Sequence, residues 1–218
     1  MRRLVEVLAE FPAGSRLLDL GCGQGRHANL LAAAGFAVDG VDYSDELLAL
    51  ARRGASRGNP AYHRHDMRRL PARWSGRFDV VVNLFTSFGF FERADDDATV
   101  IGHVARVLKP GGVLVWHGGS RDGVVARFLG RDWWLTSDGT MVGHERSFDP
   151  LSGVLQIRTT WRGRTSGERE HRIRLYTATR LAELCQAQGL VVEQAFDGWR
   201  DRPLRRRSSE MLLVARKD

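Results

Sequence analysis

At 218 residues the chain suits one α/β domain, long enough to bury a full core, and its two cysteines, Cys22 and Cys185, stand too far apart to suggest a disulfide framework. No apolar run reaches bilayer-spanning length, and Met1-Arg2-Arg3 followed by Glu6 and Glu10 does not read as a signal peptide, so a soluble cytoplasmic protein is expected. The net charge of +7 is almost all arginine and alternates with acids, as in Arg121-Asp122, Arg131-Asp132 and Glu168-Arg169-Glu170, which argues against a nucleic-acid surface despite its sign.

In chain order, residues 3–11 read as an amphipathic helix with Leu4, Val5, Leu8 and Phe11 on one side. A strand over 16–20 follows, then a glycine turn, then a helix over 27–34 that ends at Gly35. A second strand spans 37–43, and Ser44 is a good N-cap for the helix behind it. The more polar strand over 61–66 suits a sheet edge. Residues 78–85, almost wholly apolar, read as a strand buried on both faces. A helix over 95–108 meets the turn Lys109-Pro110-Gly111-Gly112, and the fifth strand covers 112–117. Alternating strands and helices imply a parallel, doubly wound sheet.

Beyond Gly118 the rhythm changes. A short helical segment over 123–129 precedes strands near 141–148, 154–161 and 169–176, joined by hairpin-like turns, which predicts a local antiparallel insert over 139–176. Period-two alternation puts Arg172 and Arg174 on one face and Ile173 and Leu175 on the other. A helix over 177–188 and strands over 191–196 and 211–215 close the chain. The cluster Arg205-Arg206-Arg207 reads as a solvated loop ahead of the last strand.

The chemistry concentrates in Leu17-Leu18-Asp19-Leu20-Gly21-Cys22-Gly23-Gln24-Gly25-Arg26-His27. Glycines at every second position provide for positive φ and let a ligand lie against bare backbone. The spacing differs from the dinucleotide pattern, where two residues separate the second and third glycines. Acid-x-Gly-x-Gly-x-Gly after a strand resembles the first motif of class I S-adenosylmethionine-dependent methyltransferases. That resemblance covers essentially the whole chain. It implies a Rossmann-like α/β fold with a mostly parallel seven-stranded sheet, a small antiparallel insert, and S-adenosyl-L-methionine as cofactor.

The resemblance also implies where the cofactor is held. Asp19 serves the amino-acid tail, directly or by holding the loop, and Gly21, Cys22, Gly23 and Gly25 bring the backbone close. The tail carboxylate favours the amide-rich helix start after Gly25. Asp42, at the end of the second strand and followed by Tyr43, fits the acid that accepts from the ribose diol; a helix-capping role ahead of Ser44 is the other reading. Asp66 and Met67 end the third strand, where the family places an acid for the adenine amino group and an apolar wall. Asn83 faces the methyl-bearing end.

Methyl transfer needs alignment and exclusion of water more than acid–base chemistry, although a hydroxyl acceptor also needs a base. His117, at the end of the fifth strand, and His171, in the insert, are the candidate catalytic residues, against solvent-facing or core roles for the same side chains. The aromatic stretch Phe85 to Phe91 walls an acceptor pocket or packs under the next helix. The order of insert strands, His-x-Ile-Arg-Leu-Tyr-Thr, then helix is similar to bacterial small-molecule methyltransferases, including amino-sugar N-methyltransferases. Those enzymes have a longer N-terminal arm over the cofactor, whereas about 14 residues precede the first strand here.

The expected activity is methyl transfer to N or O of a small-molecule acceptor by a monomer or homodimer. The alternatives are an RNA methyltransferase, for which Asn83-Leu84-Phe85-Thr86 lacks the Asn/Asp-Pro-Pro-aromatic motif, and a non-catalytic cofactor-binding protein. No His/Cys/Asp/Glu set has metal-ligand spacing, so no metal is expected.

Overall fold

Apolar runs become the centre of a sheet. A computed structural model describes residues 2–56 and 58–218. In β4 (Phe78–Asn83), Val80 and Val82 enter one hydrophobic cluster and Val81 the other, all fully buried, so the strand is covered on both faces. Each such side chain contributes about 1.5–3 kcal/mol by leaving water.

Seven strands follow the order β10-β11-β5-β4-β1-β2-β3. They are β1 (Arg16–Leu20), β2 (Ala37–Asp42), β3 (Ala61–Arg64), β4, β5 (Leu108–Gly119), β10 (Leu190–Phe196) and β11 (Glu210–Lys217). β1 pairs in parallel with both β2 and β4, and β11 runs against its neighbours β5 and β10. The chain winds outward from β1 to the edge strand β3, then crosses back to β4. That reversal opens a crevice at the carboxyl ends of β1 and β4.

One face is covered by α1 (Arg2–Leu8) and α2 (Arg26–Ala33) through Leu4, Leu8, Ala28 and Leu31. The other is covered by α4 (Ala94–Val107) and α6 (Ala178–Gln186) through Val100, Ile101, Val104, Leu181 and Leu184. α3 (Asp45–Gly54) starts as expected at Ser44, whose hydroxyl accepts the Leu47 amide at 3.2 Å. Thr177 caps α6 in the same way.

The insert follows α5 (Arg121–Ala126) and holds four strands, β6 (Arg131–Leu135), β7 (Met141–Asp149), β8 (Val154–Arg162) and β9 (Ser166–Arg174), paired antiparallel in that order. β6 lies upstream of the three strands read from the sequence. Its side chains are mostly exposed and carry no apolar alternation; pairing with β7 and the Arg146–Asp132 ion pair at 2.8 Å hold it. Ile173 and Leu175 are buried and Arg172 is exposed, as alternation requires.

β5 differs from expectation in starting at Leu108. Leu108 already pairs with Phe78, and the Lys109–Gly112 segment is absorbed as an irregularity within the strand. Arg205, Arg206 and Arg207 are exposed in the loop before β11. Among the described residues, no helix is long and apolar enough to cross a membrane.

Candidate cofactor site

The carboxyl ends of β1 to β4 surround a cavity of about 470 Å³, a size that suits a nucleoside-bearing ligand. The glycine turn forms its rim. Gly21, Gly23 and Gly25 have φ of 80°, 54° and 80°, all in the left-handed region that glycine enters without a Cβ clash. The Gly21 and Cys22 amides both donate to the Val41 carbonyl, at 2.8 and 2.9 Å, which ties the turn to the end of β2. A Cβ on Gly21 would lie 2.6 Å from the Ser87 Cβ, whereas one on Gly23 would meet nothing within 4 Å. Gly21 therefore serves close packing, and Gly23 leaves space open.

Asp42 lines the cavity and organises the turn. One carboxylate oxygen accepts the Gly23 amide at 2.8 Å and the other accepts the Ser44 amide at 2.9 Å. Asp42 thus ties the glycine turn to the start of α3 while it lines the cavity. Tyr43, well exposed beside it, has the Arg64 guanidinium 5.1 Å from its ring centre.

Asp19 lies beneath the turn, 3% exposed, with Oδ2 buried and unpartnered. Burial pushes its carboxyl up to about 7, the Ala28 amide pulls it back down, and Asp42 adds to the rise. A buried carboxyl with an idle oxygen beside a glycine turn suits a cationic group. Cys22 is buried, and burial followed by the Asp19 and Asp42 charges pushes its thiol up, so it contributes backbone and not a nucleophile.

Asp66 and Met67 line the far wall. The Asp66 carboxylate is gripped by Arg68, at 2.6 Å in its shortest contact, and hydrogen bonding from that guanidinium holds the carboxyl below its usual range. Arg68 also reaches Asp96 at 3.1 Å and lies 4.4 Å from the Phe91 ring centre. Sequence reasoning missed Arg68 and His65, which also line the cavity. Their one signal is adjacency to the strand-end acid. Ser87, Phe90 and Phe91 of the aromatic stretch complete the wall.

Residues 17–112 match the family described as a methyltransferase domain. Over that segment the chain is similar to methyltransferase domains.

A dTDP-3-amino-3,6-dideoxy-alpha-D-glucopyranose N,N-dimethyltransferase of Streptomyces fradiae is 29% identical over 205 residues, covering 84% of this chain and 72% of that protein. A ubiquinone biosynthesis O-methyltransferase of Aromatoleum aromaticum is 34% identical over 102 residues, 46% of this chain and 42% of that protein. The chain thus spans less than half the length of some curated relatives it matches. Among solved structures, the CcbJ methyltransferase from Streptomyces caelestis superposes with a TM-score of 0.85 at 22% identity, over 99% of this chain and 88% of that one. CalS10, an amino pentose methyltransferase from Micromonospora echinaspora solved with S-adenosylmethionine bound, superposes at 0.73 with 22% identity, over 100% and 89%. These likenesses show that the fold is that of class I methyltransferases.

Of the candidate residues, Gly21, Asp42, Tyr43, Asp66 and Met67 line the cavity, whereas Asp19, Cys22, Gly23, Gly25, Asn83, His117 and His171 are not part of its lining. Asn83 is buried, donates to the Leu20 carbonyl at 2.7 Å and leaves Oδ1 unpartnered, so it pins the end of β1. His117 is 2% exposed; its Nδ1 accepts the Phe85 amide at 3.3 Å and its Nε2 lies 3.6 Å from Glu210. His171 lines a second cavity of about 670 Å³ between β9 and the segment after β4. Phe90 and Phe91 wall both cavities. The Nδ1 of His171 is buried without a partner, and burial, then Arg169 and His144, hold the imidazole below its ordinary value.

Proposed function

We propose that this chain transfers the methyl group of S-adenosylmethionine to nitrogen or oxygen of a small polar acceptor. The observation that carries the reading is the Asp42 carboxylate, fixed by two backbone amides, one of them from the adjoining left-handed glycine turn, at the rim of a cavity that Asp66 and Met67 close on the far side. The residues fit the cofactor piece by piece. Asp42 retains lone pairs for a diol, Met67 and Phe91 offer apolar faces to a base with Asp66 at its edge, and the idle oxygen of Asp19, buried behind the glycine turn, adds negative charge that favours an ammonium on the cavity side.

When bound, the cofactor supplies a methyl group activated by its sulfonium. The protein has then to align an acceptor and keep water out. The second cavity, which shares Phe90 and Phe91 with the first, suits the acceptor. Glu92 and Glu170 line it with polar groups over an apolar floor that includes Ile173. His171, held neutral near pH 7 by its surroundings, is the candidate to take a proton from the acceptor. The N-methyltransferase and O-methyltransferase relatives support a small-molecule acceptor.

The charge distribution supports the same class over RNA. Arginines pair with acids, as in Arg77–Asp39 at 2.9 Å and Arg174–Asp97 at 3.0 Å, rather than forming a phosphate-tracking face. Two buried free thiols, Cys22 and Cys185, fit a reducing compartment such as the cytoplasm. Incubation with methyl-labelled S-adenosylmethionine and a panel of amino-sugar and phenolic acceptors tests the activity. Label in an acceptor supports it. Label in none, with cofactor bound at micromolar affinity, favours a binding protein without catalysis.

A further inference from the structure

At the tip of β4 two consecutive residues other than glycine, Phe85 and Thr86, take left-handed φ values of 53° and 66°. Side chains disfavour that region, so surrounding contacts must impose it. His117 supplies them from β5. Its Nδ1 accepts the Phe85 amide at 3.3 Å and its carbonyl accepts the Thr86 amide at 3.2 Å. The Phe85 ring lies 5.1 Å from the imidazole and is sandwiched between His27, stacked at 4.6 Å, and Trp199, at 5.4 Å.

The turn sets the cofactor cavity. Ser87 follows directly, and its hydroxyl contacts the Gly21 carbonyl at 3.2 Å and the Leu84 carbonyl at 3.0 Å. It sits where a Cβ on Gly21 would otherwise be. A change in the Phe85–Thr86 backbone therefore moves the wall against which the first glycine packs.

We propose that His117 is a positioning residue for this site: its Nδ1 lone pair holds the Phe85–Thr86 turn in the left-handed conformation that seats Ser87 on Gly21. The inference rests on the reading that the cavity takes S-adenosylmethionine. Because Nδ1 accepts a backbone N–H, the proton of the neutral ring belongs on Nε2, which points toward Glu210 at 3.6 Å. A second proton on Nδ1 removes the acceptor and releases the turn. Burial keeps the imidazole below its ordinary value, with Glu210 of β11 pulling up and His27 of α2 pushing down. The nearby Asp197 is occupied by Arg200 and Arg202. The turn is thus held at neutral pH and released on acidification.

His117→Asn and His117→Gln separate the two ring nitrogens, since the Asn amide oxygen replaces Nδ1 and the Gln amide reaches only toward Nε2. Two readouts are taken for wild type and both variants: amide exchange of Phe85 and Thr86 in the ligand-free protein, and the Kd for S-adenosylhomocysteine between pH 5 and 8. His117→Asn is expected to keep wild-type protection and affinity at pH 8 and to lose the part of the acid-side weakening that wild type shows beyond it. Asp19 contributes equally to both profiles, so their difference isolates His117. His117→Gln is expected to exchange at least tenfold faster at both amides and to bind about tenfold more weakly.

Equal behaviour of Asn and Gln, an unchanged acid limb in Asn, or loss of protection in Asn overturns the proposal. Should wild type not bind S-adenosylhomocysteine at all, the cofactor reading fails, while the exchange comparison still decides whether His117 holds the turn.

Discussion

The Asp42 carboxylate accepts the Gly23 amide at 2.8 Å, so the acid at the end of β2 and the middle glycine of the turn after β1 form one unit across 19 residues. The other Asp42 oxygen takes the Ser44 amide at 2.9 Å, which fixes the carboxylate plane toward the cavity. Asp42→Asn keeps one acceptor and turns the other into a donor facing an N–H. It is expected to lower stability by about 1–2 kcal/mol in urea unfolding, a hydrogen bond to a charged group being lost.

Gly21 and Gly23 should respond differently to alanine. At Gly21 the added Cβ lies 2.6 Å from the Ser87 Cβ at a φ of 80°, so Gly21→Ala is expected to destabilise by about 2–4 kcal/mol, partly relieved in combination with Ser87→Gly. At Gly23 nothing stands within 4 Å, and only the φ of 54° resists, at about 1 kcal/mol. Gly23→Ala should therefore fold well and lose cofactor affinity out of proportion to its stability. Thermal unfolding paired with ligand titration checks both.

Asp19 ties the site to pH. Its carboxyl is raised from 3.8 to about 7, so the folded protein holds a proton that the unfolded chain has released. Stability from this group is complete below pH 3.8 and is lost as pH rises toward and through 7. Asp19→Asn is expected to stabilise the ligand-free protein at pH 8 by up to about 4 kcal/mol, taking roughly 1.4 kcal/mol per pKa unit. The same variant should lose cofactor affinity. In wild type, an ammonium arriving beside Oδ2 favours the carboxylate, so binding should release protons near pH 7; calorimetry in buffers of different ionisation enthalpy measures that release.

The insert is locked to the cavity wall by a buried ion pair. Asp97, fully buried, accepts from Arg174 at 3.0 Å and from the Tyr176 hydroxyl at 2.6 Å. Arg174 also donates to the Phe91 and Glu92 carbonyls, at 3.1 and 2.8 Å. Arg174→Ala leaves a carboxyl buried without its cation and should cost about 3–5 kcal/mol. Tyr176→Phe removes one bond and should cost about 1–2 kcal/mol, both read by urea unfolding.

Most of the sheet was legible because its signals are local. Val80, Val81 and Val82 announce a doubly covered strand, and Ser44 and Thr177 announce helix starts, without reference to the rest of the chain. β6 was not legible, since its mostly exposed side chains carry no apolar alternation and its pairing with β7 through the next turn is what defines it. In the candidate site, Asp19 and Asp42 stood out by spacing to the glycines. Arg68 did not, because its contact with Asp96 and its place over Phe91 depend on the segment after the third strand and that after the fourth meeting in space. The surroundings of His117 were hidden for the same reason: its partners Phe85, Trp199 and Glu210 come from three distant parts of the chain.

Calorimetric titration with S-adenosylhomocysteine, run on wild type and on Asp42→Ala, tests the central claim most directly. The account predicts one site per chain at micromolar affinity in wild type and a loss of about 100-fold in the variant, from two charge-assisted bonds to the diol. Absence of binding in wild type, or equal affinity in the two proteins, would contradict it.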